Sequence, residues 1–412
     1  MADLQSLAVW AGENRSGILS REQCQKYVFA YSADAVAEAE VSLTMPVRLE
    51  SWVSRDLHPI FQMNLPEGAL LEAIRRAIAK VVGEDDLAIL RVTGGNQVGR
   101  NRFALPTEEA PHLAETPESL DELLAYPDTR ELFQELVAKY ALRSGISGVQ
   151  PKVMLDATAR GTLASTGFIV KSWGTDYPCL AANEFFCMTA AKRAGLPVPE
   201  FFLSDNGGLF VMRRFDITPD GAAIGFEDMC SLQARGTVQK YASSYERVAK
   251  SIKDFVSGEH LSRAREQFFA ALVLSVMVRN GDAHLKNFGV LYSSPLGKVT
   301  LAPVYDVVTT TAYIRKDVPA LSLAGTKKWW PRKVLERFAL SHLSLPIGTV
   351  SETFDRIAEA VMETGKSIPK YMAEHPEFRE IGGIMMAEWE SGVSGVVGAR
   401  GRKGKNTVTR DA

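Results

Sequence analysis

Apolar and polar positions change period several times along this chain, and the changes mark its elements. Leu7-Ala8-Val9-Trp10 running into Gly12-Glu13-Asn14 predicts a strand and a turn, and Tyr27-Val28-Phe29-Ala30-Tyr31 a second strand. From Ala69 to Val82 the apolar residues fall at helical spacing, with Arg75, Arg76 and Lys80 on the polar face. The acidic, proline-rich stretch from Pro106 to Pro117 interrupts the pattern and reads as a linker, followed by a short helical piece from Leu120 to Lys139. Strand-like segments return at Val153-Met154-Leu155, Phe168-Ile169-Val170-Lys171 and Leu209-Phe210-Val211-Met212. A helix from Ala181 to Ala194, stopped by Gly195-Leu196-Pro197, separates the last two. Beyond Tyr241 the pattern is mostly helical, and no segment repeats another.

This order predicts an α+β chain of two lobes: a sheet-rich N-terminal lobe with an extra amino-terminal subdomain, then a mainly helical C-terminal lobe. The divisions fall at 1–105 for the subdomain, 106–140 for a linker and connecting helix, 141–217 for the sheet-rich lobe, 218–395 for the helical lobe and 396–412 for a basic tail. At 412 residues the chain is long enough for such a division. Its 46% hydrophobic and 23% charged content is that of a soluble globular protein. A net charge of −2 supplies no global field toward nucleic acid or membrane. The longest apolar run, Phe268 to Val278, is too short to span a bilayer. The opening residues carry acids and lack a long apolar core, so a cytoplasmic chain is expected. Cys24, Cys179, Cys187 and Cys230 have no CxxC spacing and suit a reducing compartment as small buried hydrophobes.

The chemistry concentrates where the apolar run ends. Arg279-Asn280-Gly281-Asp282-Ala283-His284-Leu285-Lys286-Asn287-Phe288-Gly289 brings an aspartate, a histidine, a lysine and an asparagine together, and a second acid follows in Pro303-Val304-Tyr305-Asp306-Val307-Val308. An aspartate, an asparagine five residues later and then an acid among apolar residues is the grammar of phosphoryl transfer. Asp282 would accept the proton of an attacking hydroxyl, and Asn287 and Asp306 offer the oxygen ligands that Mg2+ takes. His284 and Lys286 would lie near the transferring phosphate. Upstream, Gly145 and Gly148 would let backbone amides approach phosphate oxygens. Lys171, at a strand end, would present a charge to the α/β-phosphates, held by Glu184 of the next helix. Arg213-Arg214-Phe215-Asp216 would form a hinge beside the adenine, with Asp216 in reach of a ribose.

Singly, each has a plainer reading. The glycine loop is a turn, Lys171 a lysine with a buried stem, Asp216 and Asp282 turn or cap residues. Their order in one chain selects the kinase reading.

The same residues carry a family resemblance. Gly148-Val149-Gln150-Pro151-Lys152, the Asn280–Phe288 run and Tyr305-Asp306 resemble the signature motifs of HipA, the toxin kinase of bacterial HipBA toxin–antitoxin pairs. Asn183-Glu184, Arg214-Phe215-Asp216 and Glu227-Asp228-Met229-Cys230 fit that family as well. So do Asn64-Leu65-Pro66-Glu67-Gly68 and Gly94-Gly95-Asn96-Gln97-Val98-Gly99 near the start. The resemblance implies a protein-kinase-like (PI3/4-kinase-like) fold with Asp282 as catalytic base and Asn287 and Asp306 as Mg2+ ligands. It implies ATP contacts at Ser147, Gly148, Val149, Gln150, Pro151, Lys152, Lys171, Arg213, Arg214, Phe215, His284, Leu285, Lys286, Asn287, Tyr305 and Asp306. The implied activity is phosphorylation of serine or threonine in a protein such as an aminoacyl-tRNA synthetase. The implied partners are a HipB-like helix-turn-helix antitoxin and, through it, operator DNA, with no membrane.

One departure stands out. The family's phosphate loop often begins with a serine whose autophosphorylation silences the kinase, whereas this chain has Gly145 there, between Ser144 and Ser147. Ser147 is the expected modification site. Two further readings share these residues, a small-molecule kinase of the aminoglycoside type and a corepressor that strengthens antitoxin binding. The tail, with Arg400, Arg402, Lys403, Lys405 and Arg410 among glycines, reads first as a solvated terminus and second as a contact to DNA phosphates. Trp329-Trp330 reads first as core and second as a partner-facing patch. No histidine pair has metal-ligand spacing.

Overall fold

The computed structural model of the chain describes residues 6–22, 26–79, 83, 85–95, 97–110, 119–136, 161–164, 167–172 and 176–398. The expected strand at Val153-Met154-Leu155, residues 111–118 and 137–140 of the linker and connecting helix, the basic tail from 399 onward and Cys24 lie outside the described residues.

Among the described residues, three antiparallel sheets appear in chain order. The first comprises β1 (Ser6–Ala11), β2 (Asn14–Arg21), β3 (Tyr27–Tyr31), β4 (Trp52–Ser54) and β5 (Asn101–Ala104), in the order β4-β3-β2-β1-β5. Alternation in β1 sends Leu7 and Val9 into a core with Leu19, Phe29, Phe61 and Phe103, where Phe61 meets Phe29 and Phe103 edge-on. The turn expected after Trp10 leads straight into β2, whose polar sequence carries little strand signal and is held by pairing with both neighbours.

The second sheet holds β6 (Gly161–Ala164), β7 (Phe168–Ser172), β8 (Phe201–Leu203) and β9 (Phe210–Arg213), in the order β6-β7-β9-β8. Both of its central strands are buried on two faces, so they read as continuous apolar runs. Phe168, Val170 and Val211 face one core, shared with Leu70, Ile74 and Ile78 of the helix Gly68–Ile78 and with Ile89 and Val92 of the helix Asp86–Thr93. Ile169, Phe210 and Met212 face the other core, against Phe186 and Met188 of the helix Leu180–Arg193. The side-chain period of a strand then puts Lys171 on the same face as Ile169, toward that helix. The helical piece expected from Leu120 is two short helices, Leu120–Ala125 and Thr129–Leu136, broken where Pro127 stands.

The third sheet, β10 (Gly225–Asp228), β11 (Gly289–Tyr292) and β12 (Val299–Leu301), sits inside the otherwise helical lobe in sequential order. Its strands are three or four residues long, too short for a periodic signature. The lobe is built on the helix Gly258–Met277, whose Phe268 through Met277 are all buried except for slight exposure at Ala271 and Ser275. Phe269 packs edge-on against Phe354 of the helix Ile347–Gly365. Trp389, from the helix Arg379–Val397, is fully buried with its indole N–H donating to Thr309 Oγ1 at 2.7 Å. Trp330 is core, and Trp329 is half-buried beneath the Arg279 guanidinium. Among the described helices, none is long and apolar enough to cross a membrane.

Buried carboxylates join the first sheet's subdomain to the rest. Glu227 accepts from Ser42 Oγ, the Leu43 amide and Tyr292 Oη, each at 2.7 Å. Asp216, with no exposure, accepts from the Gly99 amide at 2.7 Å and from Arg214 Nη2 at 2.6 Å. These bonds replace the water that each carboxylate loses.

The subdomain also holds a titrating group. Burial beside Trp52 and Phe61 depresses the His58 pKa to about 4. Between the ordinary value and that one, the unfolded chain binds a proton at this position and the folded chain does not, so stability falls as pH drops through this window. The expected loss attributable to His58 is about 2 kcal/mol, given its partial exposure. Denaturant titrations of wild type and His58→Phe at neutral pH and at pH 4.5 check this. A loss of equal size in both proteins would remove His58 as its cause.

Candidate active site

The loop that carries Asp282 follows directly from the end of the helix Gly258–Met277. Arg279 takes a left-handed conformation (φ 58°), which turns the chain out of the helix. Asn280 is buried and its Oδ1 accepts the Asp282 amide at 3.1 Å, the local bond that makes asparagine a turn former. Gly281 lies close to two side chains: a Cβ there would lie 2.0 Å from Asp317 Oδ2, so Asp317 would have to turn aside. Its amide donates to Thr310 Oγ1 at 2.7 Å. The turn aims Asp282 outward, where its Oδ1 accepts from Tyr241 Oη at 2.7 Å.

His284 caps the one-turn helix Leu285–Asn287, and its amide donates to Asn287 Oδ1 at 3.0 Å. Its Nε2 lies 3.9 Å from Asp282 Oδ1. Burial holds the imidazole pKa below its ordinary value, so the ring is neutral at physiological pH. Tyr241 meets it edge-on at 5.1 Å.

Lys171 from β7 reaches across to two acids. Its Nζ is 2.6 Å from Glu184 Oε1 and 2.5 Å from Asp306 Oδ1, with the lysine and glutamate side chains almost wholly buried. Asn287 Nδ2 donates to the other Asp306 oxygen at 2.6 Å. Asp306 itself sits at φ 60°, a left-handed conformation rare for aspartate that places its carboxylate between Lys171 and Asn287. Side chains up to 135 residues apart thus meet at the Asp306 carboxylate, Lys171 on one oxygen and Asn287 on the other, with Glu184 behind the lysine.

The hinge expectation is partly redrawn. The Arg214 side chain is wholly buried and turned toward the first sheet's subdomain, where Nη2 bonds the Gln97 carbonyl at 2.6 Å as well as Asp216. Asp216 likewise points into that junction and not toward a ribose. Both side chains are therefore spent within the protein, and nothing local in the chain marks the partner at Gly99 that turns Asp216 inward. Arg213 is exposed and pairs with Glu200. Phe215 stacks on Tyr305 at 5.2 Å, and Tyr305 Oη donates to the Lys286 carbonyl at 2.7 Å, linking the segment after β9 to the Asp282 loop. Leu285 is a core residue whose amide bonds the Lys240 carbonyl at 3.2 Å. Ser147, Gly148, Val149, Gln150, Pro151 and Lys152, together with Ser144 and Gly145, lie outside the described residues.

Three residues not singled out as site residues from the sequence join the cluster. Glu67, just before the helix Gly68–Ile78, pairs with Lys286 through Oε1 and with Lys240 through Oε2, the latter at 2.8 Å. Burial acts to raise the Glu67 pKa, yet Lys286 and Lys240 together hold it at about 2. Burial also opposes the Lys286 charge, but Asp228 and Glu67 outweigh it and its pKa is raised. Tyr241 is the third, by its bond to Asp282. Only the Asn64–Gly68 motif drew notice to this region, since nothing local ties residue 67 to residues 240 and 286.

The donors fit the group that the Asp-Asn-Asp pattern implies. Asp306 offers a carboxylate of the kind that Mg2+ takes when phosphates and waters complete its shell, and the Asn287 amide bonded to it carries a further oxygen, which here accepts the His284 amide. Among the described residues, no group of three or more His, Cys, Asp or Glu is placed to hold a metal by itself.

The chain matches the family model described as the HipA N-terminal domain over residues 7–104, and that described as the HipA-like C-terminal domain over residues 144–365. Two proteins of Sinorhizobium fredii that carry provisional kinase names, Y4dM and Y4mE, are 29% and 30% identical to it. The alignments cover 76% and 74% of this chain and 78% of each relative. The HipA of Shewanella oneidensis, solved with HipB and its operator DNA, shares the fold with a TM-score of 0.67, covering 95% of this chain and 97% of that one at 17% identity.

Proposed function

The chain belongs to the HipA family, and from that premise we propose that it is the kinase toxin of a type II toxin–antitoxin pair. In this reading it uses Mg-ATP to phosphorylate a serine or threonine of a cytoplasmic protein, an aminoacyl-tRNA synthetase being the substrate the family suggests. A HipB-like antitoxin is its partner, and operator DNA is reached through that antitoxin. The fold is read as PI3/4-kinase-like, with the lobe boundaries given above.

The observation that carries the reading is Lys171 bonded to both Glu184 and Asp306, with Asn287 on the second Asp306 oxygen and Asp282 on the same catalytic loop. ATP and Mg2+, when bound, supply the phosphoryl group and the divalent charge. Lys171 then faces phosphate oxygens, while Glu184 fixes its direction. Asn287 and Asp306 would hold the cation. Asp282 accepts the proton of the acceptor hydroxyl as its oxygen bonds to phosphorus and the bond to the ADP oxygen breaks. Neutral His284 adds no competing charge beside Asp282. Ser147 is the proposed site of silencing autophosphorylation.

The test is incubation of the protein with labelled ATP and bacterial lysate, followed by mass spectrometry. The expected result is label on a discrete lysate protein and on Ser147, both absent with Asp282→Asn. Autolabel at Ser144, or at neither serine, would remove the Ser147 assignment. Absence of all protein labelling despite measurable ATP binding would overturn protein kinase activity.

A further inference from the structure

Glu67 is the one acid that the amino-terminal subdomain sends to the catalytic loop among the contacts described here, and the way it is bonded is specific. Its two oxygens are divided between two ammonium groups, Oε1 to Lys286 and Oε2 to Lys240. A carboxylate and a phosphoryl group both present two oxygens a little over 2 Å apart, so cations set for one are set for the other. Lys240 is anchored at both ends: its carbonyl accepts the Leu285 amide and its side chain runs beside the Tyr241 ring to Glu67. Tyr241 in turn bonds Asp282. The pair of lysines therefore adjoins the residue that would meet the acceptor hydroxyl. Both lysine heads and the glutamate remain partly open to solvent, which gives an incoming anion access. Asp228 also acts on Lys286, so the lysine pair keeps a counter-charge when Glu67 is displaced.

We infer that Lys240 and Lys286 form a site for the terminal phosphoryl group of the nucleotide, and that Glu67 is a resident anion occupying it until that group arrives. Lys240 is then a second phosphate-binding cation, and Glu67 competes with the ligand while keeping the two ammonium groups correctly spaced. The inference rests on the kinase reading. It makes the amino-terminal subdomain part of the nucleotide site.

The experiment measures binding of fluorescent ATP and ADP analogues, with Mg2+, to full-length wild type, Lys240→Met, Lys240→Arg and Glu67→Gln. A thermal midpoint for each variant shows that it folds. Lys240→Met is expected to weaken ATP about tenfold and ADP less than twofold, with Lys240→Arg recovering most of the difference. Glu67→Gln is expected to tighten ATP by about threefold without changing ADP, and this gain should vanish when combined with Lys240→Met. An ATP-to-ADP ratio unchanged in Lys240→Met would overturn the inference, as would weaker ATP binding in folded Glu67→Gln. Failure of wild type to bind ATP at all would instead overturn the kinase reading.

Discussion

Asp282→Asn is expected to bind ATP as wild type does and to transfer its phosphoryl group roughly 10³-fold more slowly, about 4 kcal/mol of lost transition-state stabilisation. The substitution is well isolated structurally. Asp282 Oδ1 accepts from Tyr241 Oη, and an amide oxygen can go on accepting there. The bond that shapes the turn joins Asn280 to the main-chain amide of Asp282 and does not involve the carboxylate. Lys171, Asn287 and Asp306 form their own cluster around a different carboxylate. The variant therefore loses a proton acceptor and keeps the cradle. Single-turnover rates beside nucleotide affinities measure the two separately. A rate within about tenfold of wild type would mean that the hydroxyl proton leaves by another route. An equal fall in ATP affinity would mean that Asp282 holds the nucleotide or its cation.

Much of this site was readable because its residues stand in one short run or at strand positions with a fixed period. Alternation along β7 puts Lys171 opposite Phe168 and Val170, toward the helix that carries Glu184, so the ion pair follows once strand and helix are identified. The Asn280-Gly281-Asp282 turn is local chemistry and is legible for that reason. Asp216 shows the converse. Its polarity and place after the hinge suggested a ribose contact, yet its partner is a backbone amide 117 residues earlier. The role of Glu67 is hidden for the same reason, since its partners lie 173 and 219 residues away. The third sheet was missed for a different reason: β11 and β12 are too short for periodicity, and they exist because β10 pairs with β11 across a long insertion. Long-range pairing that satisfies buried polar groups leaves no periodic trace in the chain.

Lys171→Met is expected to damage both activity and stability, and the two effects can be separated. In the folded protein Lys171 lies between the buried Glu184 and the largely covered Asp306, so its removal leaves two carboxylates close together without their cation. Breaking a buried pair by removing one partner costs about 3–5 kcal/mol, mostly as the penalty for the charge left behind. That penalty is relieved if one carboxyl takes up a proton, so the variant's deficit should be largest above neutral pH and should shrink as pH falls toward 5. Lys171→Met/Glu184→Gln removes the surplus charge by substitution and should recover more than half of the lost stability. It should not recover phosphoryl transfer, because the cation facing the phosphates is still missing. Denaturant midpoints at two pH values and labelled-ATP turnover for wild type, single and double variants make the comparison. A double variant that regains activity along with stability would reduce Lys171 to a structural counter-ion. A single variant as stable as wild type would show that water or a shifted neighbour already neutralises Glu184 and Asp306, and the charge balance of the site would have to be redrawn around Asn287.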